Sequence, residues 1–195
     1  VTVEQAKAQL RALSRWRAER VLAVAAAGDP DRISGELILA LWSKETDLRN
    51  IESFGRLPSG APIDTGIGQF NRRAHERWLR SIPGAAPGSF DEKWTPAQDG
   101  AYPAGRVPAG VKRQALKSRS ILRYNMTYAL GQGVPEADVV SVAVAGYNVG
   151  IGTAVQDYLK HGDENRRTTG GDYSEVVLGR RAMIRRALRE LGWGI

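Results

Sequence analysis

Among the acidic residues of this 195-residue chain, Glu45 has the setting of a general acid. It follows an unbroken apolar run, Leu37 to Trp42, in the segment S-G-E-L-I-L-A-L-W-S-K-E-T-D-L-R-N-I-E-S at 34–53. Ser34 is a good N-cap and the run holds no proline, so the segment predicts a helix buried on most of its surface. Helical spacing puts Glu45 on one stripe with Ile38, Leu41 and Trp42. Partial desolvation and the negative end of the helix dipole both favour the protonated carboxyl. A carboxylic acid kept neutral near neutral pH can protonate a leaving group. The alternative is that Glu45, with Lys44, simply projects from a core helix into water, since structural settings also perturb carboxyl groups.

Two other stretches have residue types suited to a site. Gly66-Ile67-Gly68-Gln69-Phe70 is too short and glycine-rich for a helix, and a turn there brings backbone and the Gln69 amide close to a ligand; an ordinary tight turn is the competing reading. Tyr147 and Asn148, in Ala145-Gly146-Tyr147-Asn148-Val149-Gly150, follow an apolar helix, and Asn before Gly also suits a helix C-cap. Other chemistries find little here. His75 and His161 are the only histidines, there is no cysteine, and no H-E-x-x-H occurs, so no metal or cofactor is expected. No nucleophile elbow and no phosphate-binding glycine loop is present.

The elements that must position these residues are mostly helical. Thr2 with Gln5 forms a capping box, and Leu10, Leu13, Arg17 and Val21 continue one helical spacing, so residues 1–28 predict an N-terminal helix ending at Gly28. Asp29-Pro30-Asp31 is a turn before the central helix. Residues 53–64 read as a loop or short strands, and Asn71 can cap a helix carrying His75, Trp78 and Leu79. Residues 83–111 hold five of the nine prolines and five glycines, which predicts a long insertion flanking the site. Helices are then expected at 112–130, with Lys112, Arg113, Lys117, Arg119 and Arg123 outward, at Glu136–Ala145 opened by Pro135, at Thr153–Lys160 and at Tyr173–Leu191. The length suits a single domain, 1–195, of mainly α class with a short β/turn region.

The balance of 28 Lys+Arg against 21 Asp+Glu gives a net charge of +7, which points to an anionic partner such as nucleic acid, acidic lipid or a cell-wall polymer. No stretch approaches membrane-spanning length, so no membrane insertion is expected. Residues 1–27 lack the pattern of a signal peptide, and the chain starts at Val1, which is consistent with processing or with excision from a larger protein.

Together the segments Trp42-Ser43-Lys44-Glu45-Thr46, Gly66-Ile67-Gly68-Gln69-Phe70 and Ala145–Gly150, in this order, resemble the lysozyme-like superfamily. In particular they resemble goose-type lysozymes and soluble lytic transglycosylases, over roughly residues 34–150. Tyr173-Ser174-Glu175-Val176-Val177 is similar to the tyrosine-bearing helix of the same enzymes, and the full pattern, with its Thr168–Ser174 segment, also resembles muramidase domains of phage endolysins. The resemblance implies a lysozyme-like fold and cleavage of the β-1,4 bond between N-acetylmuramic acid and N-acetylglucosamine, with Glu45 as general acid. It also implies substrate contacts at Gly68, Gln69, Asn71, Tyr147, Asn148 and Tyr173. Asp64 stands where goose-type enzymes carry an aspartate and becomes the candidate base. Asn71 occupies the place of a second aspartate, and an amide cannot take a proton from water. Lytic transglycosylases need no base, because the substrate's own 6-hydroxyl attacks, so hydrolysis and transglycosylation both stand.

Peptidoglycan is then the partner, a monomer the expected state, and the bacterial wall the place of action, reached by a phage-encoded route through a holin or by a chain excised from a larger protein. Two rivals remain from the residues alone. One is a nucleic-acid-binding helical domain using the basic stretches 112–123 and 180–189. The other is an inactive wall-binding module.

Overall fold

The first helix starts where its sequence predicts. Thr2 Oγ1 accepts from the Gln5 N–H at 3.2 Å and Gln5 Oε1 accepts from the Thr2 N–H at 2.8 Å, closing the capping box of α1, Val3–Leu13. The structure is a computed structural model that describes residues 1–28, 32–49, 51–52, 58, 64–71 and 109–193. The turn expected at 29–31, the loop at 53–63 apart from residue 58, the helix expected after Asn71 with Trp78, and the insertion through residue 108 lie outside the described residues.

The expected single helix over 1–28 is in fact two. Ser14 takes φ 83° and separates α1 from α2, Arg15–Ala26. The buried Arg17 turns back, and its Nη1 donates to the Leu13 carbonyl at 2.9 Å, which the break leaves without a helical partner. The break lets two apolar faces reach the core from different directions. Ala6, Leu10 and Leu13 of α1 and Ala18, Val21, Leu22, Val24 and Ala25 of α2 are all buried.

Next comes α3, Gly35–Thr46, capped by Ser34, whose Oγ accepts from the Leu37 N–H at 3.3 Å. Every residue from Leu37 to Ser43 is buried, as expected of a helix apolar on all sides. It packs on α2 and, most extensively, on the last helix. Fully burying Ile38, Leu39, Leu41 and Trp42 stabilises the fold by about 1.5–3 kcal/mol per side chain.

A small antiparallel sheet follows, with β1 Ile51–Glu52, β2 Asp64–Gly66 and β3 Phe70–Asn71 in the order β1-β2-β3. Its register pairs Asp64 with Asn71 and Thr65 with Phe70. The remaining helices are α4 Ala109–Gly131, α5 Val139–Val149, α6 Ile151–His161 and α7 Tyr173–Leu191. The described residues are thus mainly helical, with very little strand.

Three boundaries and one orientation differ from expectation. Residues 109–111, read as the end of the insertion, form the first turn of α4. Pro135 lies in a turn closed by the Asp138 N–H on the Pro135 carbonyl at 3.0 Å, so α5 starts later and runs on through Gly146, Tyr147 and Asn148 to Gly150 at φ 85°. The helix read as starting at Thr153 follows at once, from Ile151. Lys117, expected to face outward, is only 3% exposed, with its ammonium 5.6 Å from the centre of the Phe70 ring.

Candidate active site

Glu45 lies in the last turn of α3 and is half-buried. The hydroxyl of Tyr173 donates to its Oε1 in a short contact. Tyr173, buried, is the first residue of α7, so the two longest-packed helices of the core, α3 and α7, bring acid and phenol together. Burial raises the Glu45 pKa above the ordinary carboxylate value. The charge of Asp64 adds to the rise, while the Tyr173 hydrogen bond and the charge of Lys44 oppose it. Lys44 is half-buried, its ammonium 5.7 Å from the centre of the Tyr173 ring. Burial and the charge of Glu45 push the Tyr173 phenol well up, and Arg180 partly offsets this, so the phenol remains a donor.

Beside the last turn of α3 the β2–β3 turn, Ile67-Gly68-Gln69, is pinned by three helices. Thr46 Oγ1 of α3 donates to the Ile67 carbonyl at 2.9 Å. Gln114 Oε1 of α4 accepts from the Ile67 N–H at 2.7 Å. Tyr147 of α5 donates its hydroxyl to the Gly68 carbonyl at 2.8 Å. Burial, with Glu45's charge acting in the same direction, raises the Tyr147 phenol, so it too stays protonated. A Cβ on Gly68 would lie 2.8 Å from Phe70 Cζ, 2.9 Å from the Tyr147 hydroxyl and 3.0 Å from Trp42 Nε1. Gly66, at φ 87°, faces the Gln114 amide in the same way. These glycines are therefore required first by protein packing.

Gln69 takes φ 46° and its Nε2 donates to the Gly66 carbonyl at 2.9 Å, so part of its amide stiffens its own turn. Asn71 Nδ2 donates to Asp64 Oδ1 at 2.9 Å across the strand pair. The Asn71 amide thus fixes one oxygen of the Asp64 carboxyl. Asn148 is exposed, and its Oδ1 accepts from the Thr169 N–H at 3.0 Å, tying α5 to the loop that leads into Tyr173.

The structure therefore brings Glu45, Asp64, Gly68, Tyr147 and Tyr173 into one neighbourhood. The residue holding the acid is Tyr173, while Tyr147 holds the turn and Asn148 the loop. Sequence reasoning missed Thr46, Gln114 and Ser118, the last accepting from Trp42 Nε1 at 2.9 Å. Their signal was available: Gln114, Ser118 and Asn125 fall on the buried stripe of α4 with Leu122, and polar residues on such a stripe need partners.

Among the described residues no three His, Cys, Asp or Glu side chains converge as metal ligands, and no helix is long and apolar enough to cross a membrane. Comparison with protein-family models, curated proteins and solved structures returned no match to this chain.

Proposed function

We propose that the protein is a muramidase, a lysozyme-like enzyme that hydrolyses the N-acetylmuramic acid to N-acetylglucosamine β-1,4 bond of peptidoglycan. The observation that carries this reading is the Glu45 carboxyl, held by Tyr173 at the end of a buried helix and biased towards its protonated form, with Asp64 near enough to act on its charge. Glu45 gives its proton to the glycosidic oxygen, which leaves as the 4-hydroxyl of N-acetylglucosamine. Asp64, oriented by Asn71, removes a proton from the water that attacks the anomeric carbon from the other face. The order of the three motifs, which resembles goose-type lysozymes, agrees with this division of labour.

The Asp64–Asn71 pair favours hydrolysis over transglycosylation, since a reaction using the substrate's own 6-hydroxyl has no need of an oriented carboxylate. The net charge of +7 suits an anionic wall. Three of the basic side chains that suggested nucleic acid are engaged within the protein. Lys117 is buried, Arg119 donates to the Val24 carbonyl at 2.6 Å and Arg180 to the Ser43 carbonyl at 2.5 Å, while Arg185 and Arg186 stay exposed and pair at the surface with Glu36 and Glu190. The protein acts as a monomeric catalytic unit on the bacterial wall.

The test is digestion of purified peptidoglycan with mass spectrometry of the sugar ends. Reducing muramic acid ends are expected. Ends lighter by one water, the 1,6-anhydro form, would replace hydrolysis by transglycosylation, and absence of released muropeptides from several wall types would reject the enzyme reading.

A further inference from the structure

Just past Glu45 the backbone adopts a conformation that side chains disfavour. Asp47 and Leu48 are consecutive and both left-handed, at φ 53° and 61°, and neither is glycine. Such residues persist only where their surroundings over-determine them. Leu48 is buried. Asp47 Oδ1 accepts from Gln9 Nε2 of α1 at 2.9 Å and lies 3.8 Å from Arg180 Nη1 of α7.

The same Arg180 Nη1 donates to the Ser43 carbonyl at 2.5 Å and to Ser43 Oγ at 2.9 Å. Ser43 Oγ in turn donates to Gln9 Oε1 at 2.7 Å, which closes a ring of Arg180, Ser43, Gln9 and Asp47 across three helices. Ser43 is fully buried. The ring grips α3 two residues before Glu45 and two residues after it. A guanidinium at a helix C-terminus is also favoured by the free carbonyls there.

We infer that this ring, with Arg180 at its centre, is a positioning device that fixes the last turn of α3 and so aims the Glu45 carboxyl at Tyr173. Arg180 touches no reacting atom; it acts through Ser43 and Asp47. The catalytic meaning of the ring rests on the muramidase reading, but its hold on Glu45 does not. Through Gln9 the ring makes α1 part of the machinery that orients the acid. Among the described residues the charged and titratable groups acting on Glu45 are Tyr173, Lys44 and Asp64; none of these belongs to the ring, and the charge of Arg180 reaches Tyr173.

The experiment compares wild type with Arg180→Met, Arg180→Lys and, as control, Arg185→Met. Arg185 also bridges α7 to α3, its Nε 3.3 Å from Glu36 Oε1, at the far end of the helix. Two readouts are taken: the Glu45 carboxyl titration by carbon NMR, and kcat and KM on soluble peptidoglycan fragments. Arg180→Met should lower kcat by about ten- to a hundredfold, the scale of an ångström-sized misplacement, with KM changed by less than about twofold. Its Glu45 midpoint should fall towards the ordinary value as the carboxyl swings into water. Arg180→Lys should recover part of both, and Arg185→Met should match wild type.

A folded Arg180→Met protein with an unchanged Glu45 midpoint overturns the inference. So does an upward shift, which would mean Arg180 acts by charge alone, or an equal loss in Arg185→Met. Wild type without turnover would reject the muramidase reading, and the NMR midpoints would still decide whether the ring aims Glu45.

Discussion

Tyr173→Phe isolates the contact between acid and phenol. It removes one hydroxyl and keeps the buried ring on which α7 begins. The Tyr173 hydrogen bond favours the ionised carboxyl and so works against the burial that raises the Glu45 pKa. Its loss moves that pKa further up. Since a general acid works while protonated, the alkaline limb of the pH–rate profile should move to higher pH. Glu45 also loses the donor that fixes its rotamer. If that costs about 1–2 kcal/mol of transition-state alignment, on the scale of one hydrogen bond, kcat at the optimum falls by roughly 5–30-fold. Stability should fall as well, because the ionised carboxylate is left half-buried without its donor, and the fall should be larger above the Glu45 midpoint than below it. The assay is kcat against pH for both proteins on the same peptidoglycan fragments, with thermal unfolding at matched pH. An alkaline limb that moves down, or a profile that superimposes on wild type, would refute the assignment of Tyr173 as the partner of the acid.

Other substitutions test neighbouring parts of the site. Asp64→Asn should reduce hydrolysis by about a hundredfold or more if Asp64 is the base. It should also move the alkaline limb down, because the Asp64 charge helps raise the Glu45 pKa; persistent turnover giving anhydro ends would assign the reaction to the 6-hydroxyl instead. Gly68→Ala puts a methyl group 2.8–3.0 Å from Phe70, Tyr147 and Trp42 and should cost about 1–3 kcal/mol by overpacking. Thermal unfolding should register roughly 2–4 °C for each kcal/mol, and an unchanged melting temperature would deny the close packing of the turn. Glu45→Gln should alter stability in a pH-dependent way. The Glu45 pKa is raised on folding, so its contribution is complete below the unfolded value and lost as pH rises through the folded one. The variant should therefore gain on wild type as pH rises through that window, and a difference that is flat with pH would contradict the raised pKa.

Much of the central helix was legible in its residues. Ser34, the apolar run to Trp42 and the acid behind it specify a start, a buried body and a half-buried carboxyl through local rules alone. The capping box at Thr2 was readable for the same reason. The break at Ser14 was not, because Leu10, Leu13, Arg17 and Val21 keep helical spacing across it and no glycine or proline marks it. What breaks the helix is tertiary: a buried arginine and two apolar faces that meet the core from different directions.

The turn's glycines were legible as a turn, but their reason was not. That reason lies in Gln114, Phe70, Trp42 and Tyr147, three of which are distant in sequence from Gly66 and Gly68. Lys117 was misread because a lysine on a basic helix looks like a solvated face until the Phe70 ring is placed beside it. Asn71 shows the same limit, since its pairing with Asp64 depends on the strand register.

The central claim is that Glu45 supplies the proton, and the most direct test is turnover of purified peptidoglycan by Glu45→Gln beside wild type. The amide is nearly the same shape and keeps an oxygen for the Tyr173 hydroxyl, so the circular dichroism spectrum should match and the fold should remain. The muramidase reading predicts reducing muramic acid ends from wild type and a loss of about 100–10,000-fold in the variant, the usual worth of a general acid. A folded Glu45→Gln protein that releases muropeptides at near wild-type rate would contradict it.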